Sequence, residues 1–412
     1  MVSHRPQSLV TAARWSRRAT LARGEICYDT RMNSSSSPFA EPRAVYVHVP
    51  FCAHRCGYCD FTLVAGKDHL IGDYLRALQR EMETLELPRE VDTLFIGGGT
   101  PSHLPPRELE QLLQLIGRWF QRTAGYEFSI EVNPAGLTAD KIDILAEQGV
   151  NRVSLGVQSF DDRVLQFLER DHDAVQVEHV VSLLKPRIAN ISLDLIFGVP
   201  GQSLQLWRET MQRALALGPQ HVSTYGLTFE KGTSFWTRRS KGEIAQLPDE
   251  LERQMYAAAM DDLAVGGFEQ YELSNFGKPG YQCRHNHVYW AAKSYFGFGP
   301  GAARYIDGKR ITNHRSVTHW LQRMLAGQEA AGDAEELSAE DRARETIVLG
   351  MRRMTGIDRT QFREQTGFDL DQLAGDIIRR KVANGLLVDD GVSVRLTREG
   401  QFLADSVIVD FL

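Results

Sequence analysis

Hydrophobic and polar positions along the chain settle into a regular rhythm from Ala44 onward. Short β-branched and apolar runs alternate with stretches in which apolar residues recur every three or four positions. The runs AVYVHV (44–49), VDTLFIGGG (91–99), YEFSIEVNP (126–134), NRVSLGVQSF (151–160), NISLDLIFGVPG (190–201) and HVSTYGLTFE (221–230) predict strands. DYLRALQREMETL (73–85), RELEQLLQLIGRWF (107–120), ADKIDILAEQG (139–149) and QLWRETMQRALAL (205–217) predict amphipathic helices between them. Strand-then-helix units in succession imply parallel strands with helical crossovers.

Nearly every run ends in polar or glycine-rich residues: cysteines after the first, Gly97 to Thr100 after the second, then Glu131, Gln158, and Asp194 with GVPG. A doubly wound sheet concentrates such residues at one switch point, whereas a parallel barrel brings all strand ends to one mouth. The expected fold is therefore α/β, a partial (β/α)6 barrel.

Composition narrows the class of protein. With 412 residues, 42% hydrophobic and 24% charged, the chain buries a large core and is expected to form more than one domain. A net charge of -6 gives no basic face for nucleic acid, and no apolar run is long enough to span a membrane. Before Gly24 stand Arg5, Arg14, Arg17, Arg18 and Arg23 without an acid, and NSSSSP follows Met32. Three readings compete for residues 1–43: a transit peptide, a disordered or non-native extension, and translation from Met32. The segment, with Cys27, is set aside. The expected location is cytoplasmic, or an organelle if the segment is a transit peptide.

Cys52, Cys56 and Cys59 have the spacing C-x3-C-x2-C, three of the five cysteines in eight positions. That density suits a metal site in a reducing compartment rather than a disulfide framework. Three thiolates can hold one corner of a [4Fe-4S] cluster and leave one iron open to a substrate. The competing reading is structural zinc, which needs a fourth ligand; His48 and His54 are available.

The stretch YVHVPFCAHRCGYCDF (46–61) resembles the signature of the radical S-adenosylmethionine (SAM) enzymes. The resemblance implies a partial six-unit barrel, with the three cysteines on the cluster and SAM on the fourth iron. There, an electron from the reduced cluster cleaves SAM to methionine and a 5'-deoxyadenosyl radical. It also implies SAM contacts from Gly98, Gly99 and Thr100 in GGGTPS, and from Glu131, Gln158, Arg170 and Asp194. Arg170 suits a carboxylate and Asp194 ribose hydroxyls. Tyr46 and Tyr58 are similar to SAM-contacting aromatics. Singly, each has a structural alternative: a turn glycine, a helix cap, a packed strand tyrosine.

The same motifs, with GVQSF, GVPGQS and the C-terminal region, resemble the subgroup that holds the oxygen-independent coproporphyrinogen III dehydrogenase and the HemW-type heme chaperones. The likeness runs from about Ala44 to Leu412. Dehydrogenases carry another cysteine two positions after the third ligand, where this chain has Phe61. CRHNHVYW (283–290) resembles the H-N-x-x-Y-W element of the chaperone type. His285 offers an imidazole to heme iron, and Tyr289 and Trp290 offer flat surface to a porphyrin. A histidine among aromatics is also an ordinary structural residue. His287 falls at a variable position of the element, and Cys283 reads as a buried free cysteine.

The acidic stretch GQEAAGDAEELSAED (327–341) reads as a linker to a winged-helix-like module with a hairpin around DDG. Arg352, Arg353, Arg379 and Arg380 invite a DNA-binding reading. The resemblance, in which this module is a lid or docking surface, argues against it. The expected organisation is an extension to residue 43, the barrel over 44–236, a barrel extension with the heme element over 237–325, and the C-terminal module over 326–412. The resemblance implies a chaperone that hands heme to acceptors such as respiratory enzymes, with a flavodoxin or ferredoxin as electron donor, no nucleic acid, and room for peripheral membrane association. The alternative is the dehydrogenase.

Overall fold

The computed structural model describes residues 40–412, so Cys27 and residues 1–39 of the N-terminal extension lie outside the described residues. Six parallel strands, β1 (Ala44–Val49), β2 (Arg89–Gly98), β3 (Phe120–Val132), β4 (Arg152–Gln158), β5 (Asn190–Phe197) and β6 (His221–Gly226), lie side by side in sequence order. Sequential order leaves no switch point, which confirms the partial barrel over the doubly wound sheet.

The side-chain period of a strand sorts residues between two faces. Val45, Val47, Leu94, Ile96, Ile130, Val153, Leu155, Leu193 and Leu195 are buried in one core with Leu109, Leu112 and Ile116 of helix Pro106–Trp119. The alternate positions, Tyr46, His48, Phe95, Glu131, Ser154, Asp194, Ser223 and Tyr225, line cavities on the other face. The sheet thus has an apolar outside under helices and a polar inside.

Several elements depart from the sequence pattern. β3 begins at Phe120, the last residue of a predicted helix, because Arg89–Val91 of β2 continues the ladder past an irregularity and pairs with it. Phe296–Phe298 adds a parallel strand outside β1, and Glu269–Glu272 with Asn275–Gly277 add antiparallel strands beyond β6. Each has four residues or fewer, too short to show a period. The acidic stretch is not a plain linker. Ala331–Glu336 forms a strand against Lys309–Asn313, with Lys309–Glu336 at 3.1 Å and Arg310–Glu335 at 3.2 Å balancing its charge.

Helices Ala339–Gly350, Arg359–Thr366 and Leu370–Ala383, a hairpin of Leu387–Asp389 with Ser393–Leu396, and Ile357–Asp358 pack around a separate core. This is the winged-helix-like module. Arg352 is buried beside Glu272, while Arg379 and Arg380 pair with Asp376 and Asp410, so these arginines do not form one free basic face. Among the described residues no helix is long and apolar enough to cross a membrane.

Candidate functional site

The polar inside of the sheet holds two cavities, of about 280 and 200 Å³, which share Phe61, Glu131, Ser154, Asp194 and Tyr225 as walls. Cys52, Cys56 and Cys59 all line the first, together with Tyr58, Gly99, Thr100, Glu131, Gln158, Arg170 and Asp194. Cys52 ends a two-residue strand paired with Val64–Ala65, which closes the cysteine loop, and a turn from Cys59 N–H to the Cys56 carbonyl shapes its middle. The Thr100 hydroxyl lies 3.3 Å from Cys52 Sγ, and Arg170 Nη1 donates to Cys56 Sγ at 3.7 Å. Burial pushes the Cys52 thiol up to about 11 and Cys59 to about 12.

The glycine triplet has a steric cause. Gly98 adopts φ +116°, and a Cβ there would lie 2.5 Å from the His48 ring; one on Gly99 would lie 2.7 Å from the Phe51 carbonyl. Gly98 does not line the cavity. Its N–H donates to Glu131 Oε2 at 2.9 Å and so aims that carboxylate between the two cavities. Gly98→Ala is expected to cost about 2 kcal/mol or more from backbone strain and overlap. Thermal unfolding measures this, and an unchanged midpoint would contradict the packing argument.

Gln158 sits at φ 62°, a left-handed conformation rare outside glycine, at the end of β4. Arg170 donates to Asn133 and, at 3.1 Å, to the Gly156 carbonyl, while its buried Nε has no partner. Burial raises the Asp194 pKa, against which the hydroxyls of Ser223 and Ser154 donate to its carboxylate.

Tyr46 does not line the first cavity. It lines the second cavity and bonds His48 Nδ1 at 3.0 Å; His48 Nε2 meets the Thr62 carbonyl at 2.6 Å. Both nitrogens of His48 are thereby used. His54 lines the first cavity and pairs with Glu169 at 3.3 Å.

His285, on helix Arg284–Trp290, lines the second cavity with Tyr289 and Trp290. Its Nδ1 lies 2.9 Å from Thr93 Oγ1 and its Nε2 2.9 Å from the Tyr289 hydroxyl, with Phe95 stacked at 5.3 Å. Burial lowers its pKa to about 3. His287 instead bonds Gln282 and packs on Tyr271. Cys283 Sγ donates to Glu127 at 3.5 Å, as a buried free cysteine.

Residues 46–214 match the model of the radical SAM superfamily, and residues 337–403 that of the HemN C-terminal domain. The heme chaperone HemW of Bacillus subtilis is 37% identical, over 90% of this chain and 99% of that protein. That of Lactococcus lactis is 35% identical, over 90% and 98%. The chain belongs to the HemW family. Among solved structures, coproporphyrinogen III oxidase (HemN) of Escherichia coli shares the fold at a TM-score of 0.80, with 22% identity over 91% of this chain and 90% of that one.

For a HemW-family chain the cofactors are a [4Fe-4S] cluster and SAM, and the first cavity fits both. Among the described residues no three His, Cys, Asp or Glu side chains converge on one ion; a cube, with its irons at separate corners, does not ask that of its ligands. Cys52, Cys56 and Cys59 would hold three irons, and the raised pKa values of Cys52 and Cys59 mean that loading must expel their protons. Arg170, whose Nε is unpartnered, forms with Glu131, Gln158 and Asp194 a polar set suited to SAM. When bound, the cluster supplies the electron for reductive cleavage of SAM. The chain itself orients Glu131 through Gly98, holds Cys56 beside Arg170, and encloses the site with Tyr58 and Phe61.

Proposed function

We propose that this protein is a radical SAM heme chaperone: it binds heme in the second cavity and passes it to heme-requiring acceptors such as respiratory enzymes. The observation that carries the reading is the cavity itself. Tyr46, Phe95, Tyr289 and Trp290 give it aromatic walls, His285 faces it, and Phe61 stands in the wall shared with the cluster cavity, where a dehydrogenase would have cysteine. With Thr93 holding Nδ1, the His285 Nε2 lone pair is the atom for iron, and the Tyr289 hydroxyl must yield it. A cytoplasmic location, peripheral membrane docking during transfer, and reduction by a flavodoxin or ferredoxin belong to the same proposal.

Heme titration across pH tests it. A solvent-exposed imidazole protonates below about pH 6.5 and then loses iron affinity about tenfold per unit. The His285 pKa is depressed to about 3, so the folded ring stays neutral as pH falls from 7 to 5. Heme affinity is expected to be nearly flat over that range. A tenfold loss per unit beginning near pH 6.5 would show that an exposed histidine is the ligand.

A further inference from the structure

The second cavity contains a side chain from the C-terminal module. Arg352, just after helix Ala339–Gly350, is held by backbone bonds across to the end of the barrel sheet: Leu273 N–H to the Arg352 carbonyl at 3.1 Å, and Met354 N–H to the Tyr271 carbonyl at 3.0 Å. Its guanidinium is 1% exposed, lies over the Trp290 ring at 4.6 Å, and stands 3.8 Å from Glu272 Oε2. That geometry leaves hydrogen-bonding capacity unused. Arg352 Nε and Nη1, Trp290 Nε1, Ser274 Oγ and Glu272 Oε2 are all buried without a hydrogen-bond partner, and all four residues line the cavity.

Buried polar groups are normally satisfied, and five such atoms on one wall point to a missing ligand. Donors outnumber the single acceptor, so the ligand brings acceptor oxygens. Nε and Nη1 sit on different edges of the guanidinium, so a carboxylate is met by one of them together with the Trp290 N–H and the Ser274 hydroxyl rather than by a guanidinium fork. The other carboxylates of the cavity, Glu131 and Asp194, lie on the wall shared with the first cavity and are bonded to Gly98 N–H and Ser154. We propose that Arg352, Trp290 and Ser274 form a carboxylate site that takes a propionate of the bound tetrapyrrole. The inference rests on the heme reading above, and it makes the C-terminal module part of the ligand site.

The test compares hemin with hemin dimethyl ester, in which both propionates are masked, on the full cluster-loaded chain. Removing Arg352 alone would strand the Glu272 charge, so the variant is Arg352→Met with Glu272→Gln. Wild type is expected to bind hemin about tenfold tighter than the ester, and the double variant to bind both with the ester's affinity. If the double variant does not fold, Trp290→Phe and Ser274→Ala are expected to narrow the ratio. Equal wild-type affinities, or a ratio that the variants leave unchanged, overturn the carboxylate site while heme binding stands. Failure of wild type to bind either compound overturns the heme reading itself.

Discussion

Cys56→Ser is expected to retain only a small fraction of the wild-type iron and sulfide after anaerobic reconstitution, and to lose SAM binding with them. Serine oxygen is a poor replacement for the soft thiolate that iron–sulfur clusters prefer. Two thiolates then remain to hold a cube that already leaves one iron to its substrate. Cys56 is also the cysteine that Arg170 Nη1 reaches, at 3.7 Å, so its loss disturbs the cluster and the SAM wall together. The substitution is nearly isosteric, and the stability of the unloaded protein is expected to stay within about 0.5 kcal/mol of wild type. Iron and sulfide analysis is the check. A full complement in Cys56→Ser would remove this residue from the cluster.

His285→Ala is expected to shift the Soret band and weaken heme binding about tenfold or more, a loss of about 1.4 kcal/mol or more. The substitution also strands two buried hydroxyls, those of Thr93 and Tyr289, at about 1–3 kcal/mol each. Part of the effect is therefore structural. His285→Gln, which can keep both bonds but makes a poor heme ligand, separates the two: it should restore stability and leave heme binding impaired. His287→Ala should leave the spectrum unchanged, because that ring is bonded to Gln282 and packed on Tyr271. A wild-type Soret band in His285→Gln would take His285 out of the site.

What the sequence showed and what it hid have separate physical causes. Cys52, Thr100, Glu131, Gln158 and Asp194 were legible because strand period and strand order oblige residues at successive carboxyl ends to meet at one mouth. Gly98 was legible as part of a signature, but its backbone role was not: it shapes the site through φ +116° and an N–H to Glu131. Tyr46 was legible as an inward-facing strand residue, but its place in the lining of the second cavity was not. A strand position fixes the face of a sheet, and two cavities occupy that face. The place of Arg352 was hidden most. It sits in an arginine pair that invites a DNA-binding reading, and its partners Glu272 and Trp290 are far away in sequence, so only the packed fold brings them together. The Ala331–Glu336 strand was hidden for a similar reason, since its acidic residues find cations on a neighbouring strand.

The most direct test of the chaperone reading is transfer. The cluster-loaded protein, charged with heme, is mixed anaerobically with SAM and a heme-free respiratory acceptor, and the Soret bands of the two proteins are followed. The account predicts that heme leaves this protein and appears in an active acceptor, and that His285→Gln does not support the transfer. Heme that stays bound while the acceptor remains inactive, or catalytic decarboxylation of coproporphyrinogen III by the same preparation in place of transfer, would contradict it.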